Sequence, residues 1–170
     1  SPLIDFHYMT RAQEILVEIT ASKLEIDILE IIDIEQLYPL GYEFAQESKG
    51  SFSFKEDVFK RNWKQFYNDG KGIILKAHKD GEIVGMFGFI FYEDILNGDL
   101  CATETFWYMK KEHRGGGLRL LERFEEISKE LGVKKVCMIH LSRLMPEKLK
   151  SIYTKRGYTE IETHFTKEFR

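Results

Sequence analysis

The order of elements predicts an α/β fold, a mixed and mostly antiparallel sheet flanked by helices. Three observations predict it. Asp80-Gly81 splits two apolar runs, "GIILKAHK" and "EIVGMFGFIFYEDI", and such a pair between such runs signals a hairpin. A third run, "CATETFWYM", leads through Gly115-Gly116-Gly117 into a segment where Leu120, Phe124, Ile127 and Leu131 repeat at helical spacing. A strand, a helix and a further strand then follow.

Taken in order, "LIDFHYM" alternates like a strand and "RAQEILVEI" reads as helix, so residues 1–22 form an N-terminal extra segment. The main domain spans 23–170. "LEIDILEI" alternates as its first strand. Asp33 caps a helix over "IEQLYPLGYEFAQES", in which Pro39 predicts a kink or an early break. "SKGSFSF" is a loop. "KEDVFKRNWKQFYNDG" is an amphipathic helix with Val58, Trp63, Phe66 and Tyr67 on one side, ending at Gly70. After the hairpin, "LNGDL" turns the chain into the third central strand. Gly132 stops the helix that begins near Gly117. "KKVCMIHL" is a strand, and "PEKLKSIYTKRG" a short helix with Pro146 in its first turn and Gly157 at its end. "YTEIETHFTKEF" closes the chain as strand.

Composition narrows the function. The chain has 170 residues, enough for one domain with a sizeable core, and 43% of them are hydrophobic. A net charge of −3 argues against general nucleic-acid binding, whose footprint is basic. No apolar run reaches the roughly 20 residues of a membrane span. Cys101 and Cys137 sit in apolar strand-like runs and read as reduced core residues of a cytoplasmic protein. The five histidines are scattered, so no metal site is implied.

Three consecutive glycines between a strand and a helix start allow backbone N–H groups to converge on one spot, where the helix dipole favours an anion. Lys110, Lys111 and Arg114 add positive charge beside it. The segment reads either as a pyrophosphate cradle or as a tight turn with solvated basic residues. The dinucleotide pattern fails because Leu120 stands where its last glycine belongs, and no Gly-Lys-Ser/Thr triplet makes a P-loop.

Arg114-Gly115-Gly116-Gly117-Leu118-Arg119 resembles the Arg/Gln-x-x-Gly-x-Gly/Ala loop of the GNAT family, the Gcn5-related N-acetyltransferases. It departs at Arg119, which replaces a small residue. "IYTKRGY" is similar to that family's Leu-Tyr-x-x-x-Gly-Phe, with Ile152, Tyr153, Gly157 and Tyr158 in place. Pro146 stands where an Asn often begins the same helix. The likeness runs from about residue 24 to the end and is greatest to small acetyltransferases of tailed phages and bacteria.

The resemblance implies a sheet splayed between the strands at 101–109 and 134–141, so that acetyl-CoA inserts like an extra strand. It implies that residues 114–119 bind the pyrophosphate, with Arg119 an added cation. It further implies backbone groups of Trp107 on the acetyl carbonyl and of Met109 on the pantetheine. Tyr153 becomes the acid that protonates the leaving thiolate. Glu104, among apolar neighbours on the central strand, is the candidate base, and strand alternation leaves open which face it takes. His140 or His164 is a candidate relay, against a plain core role for each. The activity implied is N-acetylation of a primary amine on a small molecule or a protein, by direct attack in a ternary complex. The alternative is a non-catalytic module that binds CoA or a protein. Tyr38, Tyr42, Phe52, Phe54 and Trp63 line an acceptor pocket or belong to the core, with core favoured for Trp63. The closing strand leaves a sheet edge bare unless residues 1–22 cover it, so a homodimer is expected there.

Overall fold

A computed structural model describes Arg11, residues 24–139 and residues 146–169. The chain divides into two compact units, Ser1–Ile139 and His140–Arg170. The strand and helix expected within residues 1–22, and His140, lie outside the described residues, apart from Arg11.

In the first unit, β1 (Glu25–Ile28), β2 (Gly72–Lys79), β3 (Glu82–Glu93), β4 (Leu100–Met109) and β5 (Lys135–Cys137) form one sheet in that spatial order. The first three pairings are antiparallel, and β4 with β5 is parallel. The β2–β3 turn has φ 51° at Asp80 and 80° at Gly81, the left-handed pair that a two-residue hairpin requires.

Helix α1 (Tyr38–Glu47) follows a 3-10 helix at Ile31–Leu37, and α2 is Glu56–Asn68. Of the kink or early break expected at Pro39, the structure shows the break, and the segment is two pieces. Proline sits in the first turn of α1, where its missing N–H costs nothing. Asp33 lies inside the 3-10 turn and is not its cap. Trp63 joins Leu29, Ile34, Leu37, Leu40, Ile74, Met86 and Tyr108 in the core under α1 and α2. Tyr67 ties that layer to the sheet, since its hydroxyl donates to Leu29 O at 2.7 Å and accepts from Ile74 N at 3.0 Å.

On the opposite face lies α3 (Gly117–Glu130), with Leu120, Leu121, Phe124 and Ile127 buried. It ends as the glycine predicts: Gly132 has φ 77°, and Val133 N–H donates to Ser128 O at 3.0 Å. Cys101 is buried and Cys137 half-buried, both free.

In the second unit, α4 (Pro146–Lys155) ends the same way. Gly157 has φ 86°, and Tyr158 N–H donates to Tyr153 O at 2.9 Å. Residues 158–169 form no strand, which corrects the expected closing strand. Alternation specifies which residues share a face, but a strand also needs a ladder partner, and none of the described residues supplies one. Ile161, Phe165 and Phe169 are exposed.

Candidate active site

Strand β4 is paired along its whole length on one edge and only briefly on the other. With β3 it runs from Glu93↔Leu100 to Gly85↔Met109. With β5 it shares only Cys101↔Lys135, Ala102↔Val136 and Thr103↔Cys137. Among the described residues this ladder stops at Thr103 and Cys137. A bulge accompanies the change. Phe89 opposes Glu104 and Gly88 opposes Phe106, so Thr105 is the extra residue, its hydroxyl donating to Gly88 O at 2.9 Å. A bulge bends its strand and sharpens the local twist.

That edge of β4 is oriented by what lies across from it. Lys110 N–H donates to Val84 O on β3 at 2.8 Å. Strand alternation then turns the backbone groups of Tyr108 toward β3 and those of Trp107 and Met109 the other way, onto the edge that β5 takes at Cys101–Thr103. Glycines on β3 let the side chains settle: a Cβ on Gly85 would stand 2.1 Å from Met109 Sδ, and one on Gly88 would stand 2.4 Å from the Phe106 ring. The "GMFG" spacing was the signal for this, and the sequence reading passed over it.

The bulge also decides the face of Glu104. Trp107 lies beside Phe87, and Phe87 and Phe89 both pack on Phe124, so these residues share the α3 face. Phe106 and Tyr108 take the α1–α2 face, against Trp63 and Phe44. Strict alternation would group Glu104 with Phe106. The extra residue instead places it opposite Phe89, on the α3 face. Its exposure is 5%, and burial alone pushes its carboxyl up to about 8. Among the described residues no ion pair or hydrogen bond engages that carboxyl.

After β4 comes a 3-10 helix at Lys111–Gly116, and α3 begins at Gly117 without a side-chain cap. Gly116 and Gly117 have φ of −88° and −60°, so left-handed backbone is not their reason for being glycine. Space is the reason for Gly116, where a Cβ would meet Leu24 Cδ2 at 2.7 Å. Gly117 is tight, with Met109 Cγ at 3.3 Å. Gly115 has nothing within 4 Å. It is the bare position of the three, open to whatever approaches the helix start, and Leu118 follows on the first turn.

The cations are more engaged than the sequence suggests. Arg119, expected as an added cation for the phosphates, instead donates to Leu24 O ahead of β1. Arg114 pairs with Glu47 of α1 and donates through Nε to Met109 O at 3.5 Å. Lys110 holds Glu82 at 2.9 Å. These acidic partners were missed because they lie far away in sequence.

Tyr42, Phe54, Phe59 and Trp63 form one chain of ring contacts with Phe106, which makes Trp63 core, while Tyr42 is half exposed. At the far edge of the sheet, His78 lies between Glu25, at 3.6 Å, and Asp27, so these three histidine and acid groups do converge. In the second unit, Tyr153 is buried with its ring 5.7 Å from that of Tyr158, and His164 is exposed on Glu162 at 2.9 Å.

The model of the acetyltransferase (GNAT) family matches residues 31–158. The chain belongs to the GNAT family. Solved structures agree with this at the level of the fold. A ribosomal-protein-alanine N-acetyltransferase from Brucella melitensis biovar Abortus 2308 is 20% identical with TM-score 0.67, covering 86% of this chain and 99% of its own. Glucosamine-6-phosphate N-acetyltransferase from Arabidopsis thaliana is 17% identical with TM-score 0.67, covering 87% and 99%. A predicted acetyltransferase with acetyl-CoA from Clostridium acetobutylicum is 16% identical with TM-score 0.69, covering 85% and 96%. No curated protein matches the chain significantly. The parallel pair expected of a GNAT sheet is the β4–β5 pair, whose ladder among the described residues ends at Thr103 and Cys137, and the splay expected between 107–109 and 138–141 falls partly outside the described residues. No described helix of this GNAT domain is long and apolar enough to cross a membrane.

Proposed function

We propose that this GNAT domain is an acetyl-CoA-dependent N-acetyltransferase acting on a primary amine of a small molecule or a protein, by direct attack in a ternary complex. The observation that carries the reading is that β4, whose described ladder with β5 stops at Thr103, leads through a short 3-10 helix into an uncapped helix start with Gly115 bare beside it. The residues present suit acetyl-CoA. The outward backbone N–H of Met109, and the backbone of Trp107 on the same edge, are suited to the pantetheine and the acetyl carbonyl. The N–H groups at the start of α3 beyond that of Gly117, which Arg114 O accepts, offer hydrogen bonds to the pyrophosphate. Bound acetyl-CoA supplies the activated acyl thioester.

The chain's own residues then handle charge and protons. Trp107 N–H, fixed before the reaction, steadies negative charge where it develops on the carbonyl oxygen. Glu104 takes a proton on the amine side. A carboxyl held near 8 is mostly neutral at pH 7, so this role grows as pH rises through about 8. Tyr153, at the family's tyrosine position, gives a proton to the thiolate sulfur.

The second reading is a non-catalytic CoA- or protein-binding module. Arg119 favours it, since a bulky side chain held by Leu24 O stands where the family motif has a small residue. Calorimetry with acetyl-CoA, followed by thiol release over a panel of amines, separates the two. Binding with turnover supports the enzyme, binding without turnover supports the CoA-binding module, and no binding removes both and leaves the protein-binding module. In the active case, Tyr153→Phe keeps acetyl-CoA affinity and lowers turnover by roughly 10²–10⁴-fold. A fully active variant removes Tyr153 as the acid.

A further inference from the structure

Helix α1 sends two carboxylates, one turn apart, to the end of β4. Glu43 Oε2 accepts from the Tyr108 hydroxyl at 3.3 Å, and Glu43 Oε1 lies 3.9 Å from Lys110 Nζ. Glu47 takes Arg114 Nη2, while Nε of the same guanidinium donates to Met109 O at 3.5 Å. The Arg114 and Glu47 side chains are 30% and 37% exposed, so the contact is sheltered without being buried.

An exposed ion pair adds little to stability, so stability is a poor reason for this one. Its geometry is more informative. A guanidinium is a planar, rigid fork, and the donors it presents keep a fixed angle to one another. With one arm on Glu47 and Nε on Met109 O, Arg114 joins three pieces at once. These are the last residue of β4, the first residue of the glycine segment, and α1. An arginine without that carboxylate, standing beside an anion site, would swing toward the anion and release Met109 O. Glu47 holds it back.

We infer that Glu47 is a positioning residue for cofactor binding: by fixing Arg114 across Met109 O, it sets the Gly115–Gly117 backbone where the pyrophosphate is received. The inference rests on the functional reading above. It goes beyond the glycine motif because Glu47 lies 67 positions from Arg114 and outside the motif. A competing effect has the opposite sign, since the charge of Glu47 repels a phosphate. At physiological salt the screening length is about 8 Å, which mutes that repulsion and leaves positioning dominant.

The test is titration of the full chain with acetyl-CoA at physiological salt. Glu47→Gln keeps the shape and loses the charge, and weakens binding about five- to tenfold. In a double-mutant cycle, Glu47→Gln adds no loss to Arg114→Ala, because the carboxylate acts only through the arginine. With an acetylated amine in hand, the loss falls on KM for acetyl-CoA and not on kcat. Unchanged or tighter binding by Glu47→Gln, or additive losses, overturns the inference. If Glu47→Gln does not fold, Arg114→Lys, which keeps the charge without the fork, decides in its place: weaker binding supports the inference and equal binding overturns it. Failure of the unaltered chain to bind acetyl-CoA overturns the functional reading and this inference together. Binding by the unaltered chain with an equal Glu47→Gln variant overturns this inference alone.

Discussion

The two halves of β4 share one antiparallel partner and differ only at the other edge. From Leu100 to Thr103 that edge is closed by β5, and Cys101 and Ala102 are fully buried. Tyr92 of β3 reaches across to Cys137 of β5, with its hydroxyl 3.8 Å from Sγ. From Glu104 to Met109 the described residues add no further rung with β5, and the groups suited to bind acetyl-CoA stand there. The Thr105 bulge marks the boundary. The candidate site begins where the described β4–β5 ladder ends.

The comparison is open to attack first at Glu104, the first residue past that ladder. In the folded chain its carboxyl stays protonated to about 8, against an ordinary value of 4.5. The folded form therefore holds a proton that the unfolded form releases. The stabilisation is complete below 4.5 and is lost as pH climbs through about 8. The expected slope within that window is about 1.4 kcal/mol per pH unit for one proton. Denaturant melts of Glu104→Gln at several pH values should lack that component of the slope. If Glu104 is also the base, the alkaline-rising limb of turnover flattens in the same variant, and an unaltered limb removes it from that role.

Smaller effects sharpen the contrast within the glycines. Gly117→Val crowds Met109 and Trp107, so it costs about 1–3 kcal/mol of stability as well as acetyl-CoA affinity. Thermal melts and calorimetry on that variant should both move. Gly115→Ala meets nothing in the protein. It should leave the melting temperature alone and still weaken acetyl-CoA about tenfold, or about 1.4 kcal/mol, because the added methyl intrudes only on the ligand. Equal affinity there would mean that the pyrophosphate does not approach Gly115.

Much of the fold was legible because its signals are local. Asp80-Gly81 demanded a left-handed turn, and Gly132 and Gly157 demanded helix stops, each within a few residues. The helical period through Leu120, Phe124 and Ile127 selected the buried face of α3. The misses share a non-local cause. The face of Glu104 turns on one extra residue in a ladder with β3, which no pattern within β4 reveals. Arg114 and Arg119 read as free cations because their partners, Glu47 and Leu24 O, lie 67 and 95 positions away. The alternation of residues 158–169 was real, but a strand also needs a neighbour. Pro39, read as a kink or an early break, marks the break, because it stands in the first turn of a second helix.

Amide hydrogen exchange with and without acetyl-CoA tests the central claim most directly. The account predicts new protection at Met109 and at residues 115–118, with Cys101 to Thr103 unchanged because β5 already closes that edge. Saturating acetyl-CoA that left residues 109–118 as exchangeable as before, or protected Cys101 to Thr103 instead, would contradict it.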